Sequence, residues 1–176
     1  MTGSDRPSDP REESASGPAR ELVRQARDLI DRRQPDAAVR LMERAVALAP
    51  KAAHAWNQLG RALNNLRRLP EARRALERAV ELSPDLADAW SNLGHVCRIM
   101  DDVDAAKEAF RRAAELAPDH AETRFLLGRA YEAAGRFDDA RAAYTAACDL
   151  DASPIRRTSG INAAIREITE AEGALL

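Results

Sequence analysis

The feature that most constrains this chain is a short phrase that occurs twice. AHAWNQLG at 53–60 returns as ADAWSNLG at 87–94, after a step of 34 residues. The same 34-residue step relates three further sets of identical apolar residues, and we call such a set of equivalent positions a column. These are Leu48, Leu82, Leu116 and Leu150; Ala38, Ala72, Ala106 and Ala140; and Ala45, Ala79, Ala113 and Ala147. A fixed period of this length predicts four structural repeats, at 19–52, 53–86, 87–120 and 121–152.

Each repeat contains two apolar runs with helical spacing, separated by a short break. In the second repeat the runs are Trp56, Leu59, Gly60 and Leu63, and then Ala72, Leu76, Ala79 and Val80. The sequence therefore predicts two helices per repeat. We expect Asp36, Asp104 and Asp138, or their neighbours, to cap the second helices. Aromatic residues make up only 4% of the chain, which favours closely packed helices over a sandwich or barrel.

Composition narrows the class of function. The 176 residues are 45% hydrophobic and 32% charged, with a mean hydropathy of -0.48, which is typical of a soluble protein. The formal net charge is -2, so no overall basic field would attract nucleic acid or an anionic membrane. The sequence shows neither a secretion signal nor an apolar run that could cross a membrane, so we expect a cytoplasmic location.

The sequence does not indicate a catalytic site, a metal site or a cofactor site. Cys97 and Cys148 lack the spacing of a metal site, and two cysteines suggest no disulfide framework. His95 and Cys97 lie two residues apart on one predicted helix and point to nearly opposite sides, so they cannot act as base and nucleophile. We therefore expect a non-catalytic chain with no metal and no cofactor.

The two ends differ from the repeats. Residues 1–18 are rich in glycine, proline and serine and have no large apolar side chain after Met1, which predicts a disordered tail. Residues 153–176 carry an apolar stripe of Ile161, Ile165 and Ile168, which predicts a helix that caps the last repeat. The alternatives for this helix are a self-association surface or a junction to a further domain.

The repeats resemble the tetratricopeptide repeat, with its W-x2-L-G-x2-Y, A-x3-F and terminal proline over 34 residues. The second repeat supplies Trp56, Leu59, Gly60, Leu63, Ala72, Leu76, Ala79 and Pro84, and the third supplies Trp90, Leu93, Gly94, Cys97, Ala106, Phe110, Ala113 and Pro118. The fourth repeat has Arg124 in place of tryptophan, and the first matches loosely. The resemblance implies an all-α fold: a right-handed superhelical solenoid of four helix pairs plus a C-terminal capping helix. The glycines would lie where helices cross closely, and the tryptophans would be core residues rather than a ligand cage.

In this family the first helices line a concave groove that holds peptides, so the resemblance also implies a site. One column would place cations along the groove: Arg27, Arg61, His95 and Arg129. Amide and other groove positions are His54, Asn57, Gln58, Asn65 and Asn92, with Phe125 as an apolar anchor. Guanidinium groups suit carboxylates, and amides suit a peptide backbone. The alternative is that these arginines are ordinary solvent-exposed surface residues that bind no ligand. Arg44, Arg78 and Arg112 form an equally regular column on the second helices, where solvation alone explains them.

We therefore expect a protein-interaction module that binds another protein or a peptide, with acidic segments favoured, and that binds neither nucleic acid nor membrane. Two alternatives remain open at this point. The chain could be a regulatory or scaffolding part of a larger enzyme system, including one with a hydrolase. It could also assemble with itself as a homo-oligomer.

Overall fold

The computed structural model describes residues 17–150. Within that range the chain is helical and contains no strand. The helices are α1 (Gly17–Asp31), α2 (Pro35–Leu48), α3 (Ala53–Asn65), α4 (Leu69–Leu82), α5 (Ala87–Ile99), α6 (Val103–Leu116), α7 (Ala121–Ala133) and α8 (Phe137–Leu150). The predicted tail and capping helix lie outside the described residues. The exceptions are Gly17 and Pro18, which belong to α1 rather than to a tail.

The helices form pairs, each made by one predicted repeat. Three residues separate the helices of a pair, as at 32–34, and four residues separate one pair from the next, as at 49–52. Connections this short place neighbouring helices side by side and antiparallel. The predicted all-α architecture of four helix pairs is therefore confirmed.

The chain divides into two compact units, Met1–Pro84 and Asp85–Leu176, which we call unit 1 and unit 2. Unit 1 contains α1 to α4, and α2 packs against α3 within it. Unit 2 contains α5 to α8, and α6 packs against α7. The boundary falls close to the end of the second predicted repeat. Each unit thus holds two helix pairs that bury their apolar faces against each other.

A glycine and a large side chain meet inside three of the helix pairs. A Cβ atom on Gly60 would lie 2.5 Å from Leu76 Cγ, and one on Gly128 would lie 2.5 Å from Tyr144 Cε1. Gly94 stands in the same relation to Phe110. These distances are too short for any side chain, so the predicted close crossings are confirmed. The two alanine columns of the second helices are buried as well.

The tryptophans are half-buried rather than hidden in the core as expected. The indole of Trp56 donates a hydrogen bond to the carbonyl oxygen of Pro50 at 3.0 Å, which requires its polar edge to reach the turn before α3. Arg124, the residue that replaces tryptophan in the fourth repeat, donates from Nε to the Pro118 carbonyl at 2.9 Å. The arginine thus reproduces the tryptophan's hydrogen bond.

The capping residues differ from the prediction. Asp36 and Asp104 lie in the first turns of α2 and α6, not at the caps. Asp138 likewise lies in the first turn of α8. Asp102 precedes α6, and its side chain accepts a hydrogen bond from the Ala105 amide at 3.2 Å. The acidic residues inside the helices still stabilise them, because carboxylates favour the positive end of the helix dipole.

Candidate functional site

Four polar side chains join α1 to α3 in unit 1. Arg27 Nη2 lies 3.1 Å from His54 Nε2, and Gln58 Nε2 lies 3.2 Å from the same ring nitrogen. Arg61 Nη1 donates to Gln58 Oε1 at 3.3 Å. The sequence analysis named all four residues as groove positions, and the structure brings them into one hydrogen-bonded chain. We call Arg27, His54, Gln58 and Arg61 the unit 1 cluster.

The chemistry of the neighbouring side chains limits the hydrogen bonds that His54 can make in this cluster. A guanidinium group can only donate hydrogen bonds, so His54 Nε2 must accept from Arg27. Gln58 completes the pattern, since its amide nitrogen donates to the ring and its oxygen accepts from Arg61. The cluster therefore holds two guanidinium groups around a histidine and an amide.

Arg61 differs from two arginines of the second helices, Arg78 and Arg112. Its side chain is exposed, and it pairs with no carboxylate in the described part of the chain. On the second helices, by contrast, Arg78 pairs with Glu81 at 2.9 Å and Arg112 pairs with Glu115 at 3.4 Å. Arg61 thus lacks the carboxylate partner that Arg78 and Arg112 have. Arg61 keeps a cation available to an anionic ligand.

The amides predicted to face a peptide are placed unevenly. Asn57 is 2% exposed and Gln58 is 6% exposed, whereas Asn65 is exposed. Asn57 lies four residues after buried Ala53 and three before buried Gly60, so it falls on the buried stripe of α3. Asn65 is therefore open to solvent, whereas Gln58 is buried and accepts a hydrogen bond from Arg61.

In unit 2, His95 on α5 is half-buried and meets the edge of the Phe110 ring, with ring centroids 5.5 Å apart. Burial lowers the pKa of His95, the charge of Arg98 lowers it further, and Glu122 acts in the opposite direction. Asn92, three residues earlier, is also half-buried. These surroundings favour the neutral ring, and the role of His95 in the groove stays a prediction.

The other predicted positions of unit 2 lie on α7. Phe125 is half-buried and its ring centroid lies 5.4 Å from that of Tyr144. Arg129 is exposed, and its Nε lies 3.8 Å from Glu132, which also accepts a 2.6 Å hydrogen bond from the Tyr144 hydroxyl. Arg129 therefore has a carboxylate neighbour that Arg61 lacks.

Sequence reasoning missed the contacts that connect these side chains. His54 and Gln58 are four residues apart, and Gln58 and Arg61 are three apart, so helical spacing could have indicated their bonds. The bond between Arg27 and His54 joins two helices, and spacing alone carries no signal for it. Between residues 17 and 150, no group of three or more histidine, cysteine or acidic residues could hold a metal ion. No helix in that range is long and apolar enough to span a membrane.

Comparison with known proteins identifies the family. Two sequence profiles described as tetratricopeptide repeat match the chain, one at residues 23–97 and the other at 85–153. The chain belongs to the tetratricopeptide repeat family. Tetratricopeptide repeat proteins are in general non-catalytic modules for protein interaction, so the fold supports a scaffold of that kind.

Solved structures of other tetratricopeptide repeat proteins resemble the fold. The MamA crystal structure has a TM-score of 0.71 and 28% identity, covering 75% of this chain and 77% of that one. YrrB, a TPR protein with an unusual peptide-binding site, has a TM-score of 0.68 and 24% identity, covering 76% and 69%. The first TPR of Spaghetti (RPAP3), bound to the HSP90 peptide SRMEEVD, has a TM-score of 0.66 and 20% identity, covering 68% and 95%. No curated protein matched the chain.

Proposed function

We propose that the chain is a non-catalytic interaction module that binds an acidic peptide segment of another protein, with the unit 1 cluster as the carboxylate-binding site. The observation that carries the proposal is the exposed guanidinium of Arg61, which the amide of Gln58 orients and which no carboxylate within residues 17–150 neutralises. Guanidinium groups bind carboxylates with charge-assisted hydrogen bonds, stronger than those between neutral groups.

The geometry also supports a ligand larger than one carboxylate. Arg27 and Arg61 lie on different helices and are linked through His54 and Gln58, so the cationic surface extends from α1 to α3. Exposed Asn65 continues that surface one turn further along α3 and could bond a peptide backbone. A segment with two or more acidic residues suits such a surface better than a single anion.

The test is a titration with a labelled peptide, followed by fluorescence anisotropy. SRMEEVD, the peptide bound by the RPAP3 repeat, carries two glutamates and an aspartate, and we call it the acidic probe. SRMQQVN is its neutral match. We expect the acidic probe to bind more tightly than the neutral one, and its affinity to fall as salt is added, because salt screens exposed charges.

Charge reversal then locates the site. Arg61→Glu should weaken binding of the acidic probe by about ten- to a hundredfold, the value of one charged hydrogen bond plus the repulsion that replaces it. Arg129→Glu should weaken it less, because Glu132 already lies beside Arg129. Arg44→Glu on α2 is the matched control, since Arg44 is exposed and belongs to no ion pair among the described residues. Equal losses in the Arg44 and Arg61 variants would contradict the proposed site.

A further inference from the structure

In the sequence, an acidic segment directly precedes the helix that presents Arg27. Residues 1–16 precede α1 and contain Asp5, Asp9, Glu12 and Glu13 against Arg6 and Arg11. The segment therefore carries two net negative charges (4 − 2 = 2), and Asp9, Glu12 and Glu13 lie within five residues of one another. A ligand of the chemistry proposed for the cluster is thus joined covalently to the helix that presents Arg27.

The distances allow the segment to reach the cluster. Arg27 lies ten residues into α1, which is about 15 Å along the helix axis at 1.5 Å per residue. An extended chain spans at most about 3.5 Å per residue, so Glu12, five residues before Gly17, can extend about 17 Å back along α1. Asp9 can extend about 28 Å. Both can reach the level of Arg27.

A further cation lies between the segment and the cluster. Arg20 is exposed, and it pairs with no carboxylate among residues 17–150. It precedes Arg27 by seven residues, so both side chains lie on one side of α1, about 10 Å apart along the axis. Arg24, between them, already binds Glu21 through two guanidinium nitrogens. The line from Arg20 through Arg27 to Arg61 is therefore a cationic strip that begins where the acidic segment joins α1.

We infer that Asp9, Glu12 and Glu13 of the chain's own N-terminal segment bind this strip and compete with an acidic partner peptide for the unit 1 cluster. The inference rests on the proposed function, since it needs the cluster to bind carboxylates. Covalent tethering through a short link gives an effective concentration on the order of millimolar. A segment with millimolar affinity would then weaken a partner's apparent affinity about two- to tenfold. The segment acts as a built-in competitor that only sufficiently acidic partners displace.

The decisive variant in the full chain is D9N/E12Q/E13Q, which removes three negative charges and keeps the size of the side chains. We expect it to bind the acidic probe about two- to tenfold more tightly than the wild type at low salt, and by less at high salt. The matched control is E167Q/E170Q/E172Q, which removes the same charge near the C-terminus and should leave affinity unchanged. Equal affinities of the wild type and D9N/E12Q/E13Q would overturn the inference.

Heteronuclear NMR separates failure of this inference from failure of the proposed function. If the acidic probe binds but D9N/E12Q/E13Q changes nothing, the proposed function stands and the inference falls. If the probe binds no variant, the proposed function fails. The Nε–Hε signal of Arg61 then tests the contact with the N-terminal segment independently of probe binding. That signal should shift between the wild type and D9N/E12Q/E13Q, and a synthetic peptide of residues 1–16 added to the triple variant should restore it. Coincident Arg61 signals would reject the contact.

Discussion

In unit 1 the side chain that covers the glycine crossing is Leu76, whereas in unit 2 the equivalent side chains are Phe110 and Tyr144. The aromatic side chains of unit 2 make further contacts that a leucine cannot make. His95 meets the edge of Phe110, and the Tyr144 hydroxyl donates to Glu132. The same backbone crossing is therefore packed by an aliphatic side chain in unit 1. In unit 2 it is packed by aromatic side chains, which also contact polar residues.

The surfaces differ in the same way. Each residue of the unit 1 cluster has an equivalent in unit 2, two 34-residue steps later in the sequence. In order, the equivalents are His95, Glu122, Leu126 and Arg129. Unit 2 therefore has an acid where unit 1 has His54 and an apolar side chain where unit 1 has Gln58. Since Glu122 already supplies a negative charge near His95, an acidic ligand gains less at unit 2. The backbone repeats, but the ligand chemistry that we propose belongs to unit 1.

The largest expected effect tests the difference between the cores. Phe110→Ala should lower the free energy of unfolding by about 3–5 kcal/mol, and Leu76→Ala by about 2–5 kcal/mol, because both side chains are fully buried. Urea unfolding followed by tryptophan fluorescence can assign each loss to a unit. Trp56→Phe leaves Trp90 as the reporter of unit 2, and Trp90→Phe leaves Trp56 as the reporter of unit 1. A loss of similar size at both reporters for either alanine variant would break the division into two units.

A smaller effect compares the turns inside the helix pairs. Arg33, Arg67 and Asp101 adopt positive φ angles of 58°, 60° and 63°, and Gly135 adopts 70° at the equivalent position of the fourth repeat. A left-handed backbone costs a non-glycine residue about 1–2 kcal/mol, so Gly135→Ala should destabilise unit 2 by about 1 kcal/mol.

Arg67→Gly should stabilise unit 1 by less than about 1 kcal/mol, because the relieved strain is partly offset by the greater entropy of glycine in the unfolded chain. Ala134→Gly is the control for both, since Ala134 has a φ of -85° and glycine relieves no strain there. Thermal unfolding by circular dichroism measures all three. Stabilisation by Ala134→Gly would show that the turns respond to something other than the sign of φ.

Much of the fold could be predicted from the sequence because its cause is periodic. The 34-residue step located every helix pair, and Gly60, Gly94 and Gly128 indicated the close crossings, since only a missing side chain allows them. The N-caps were less predictable. Helix α2 begins at Pro35, so Asp36 falls inside the first turn, and several polar residues near a break compete equally well for the cap.

The residues of the unit 1 cluster could be predicted from the sequence, but their contacts and burial could be predicted less well. The column through Arg27 and Arg61 depends only on the repeat, whereas the hydrogen bonding of His54 depends on a guanidinium from another helix. The burial of Asn57 depends on which stripe of α3 faces the neighbouring helices. Sequence spacing places side chains on a face, but it does not identify the partner that determines their charge or exposure.

The smallest expected effect concerns the pH dependence of unit 2. The pKa of His95 lies below the ordinary histidine value of 6.5, chiefly because burial disfavours the imidazolium. The unfolded chain therefore binds this proton more tightly than the folded chain. The resulting stability is fully present above pH 6.5 and is lost as the pH falls through the lower pKa of the folded state.

Urea unfolding between pH 6.5 and 5, with Trp90 as the reporter in a Trp56→Phe background, should show this loss. The carboxyl groups with lowered pKa, such as Glu21 and Glu71, start from 4.5 and contribute mainly at lower pH. His95→Gln should remove the slope in unit 2, because it removes the titrating ring, whereas His120→Gln, at an exposed position, should retain it. If the free energy of unfolding of unit 2 still falls with pH in His95→Gln, another group causes the acid sensitivity. The aromatic core of unit 2 would then contact no side chain whose titration affects stability.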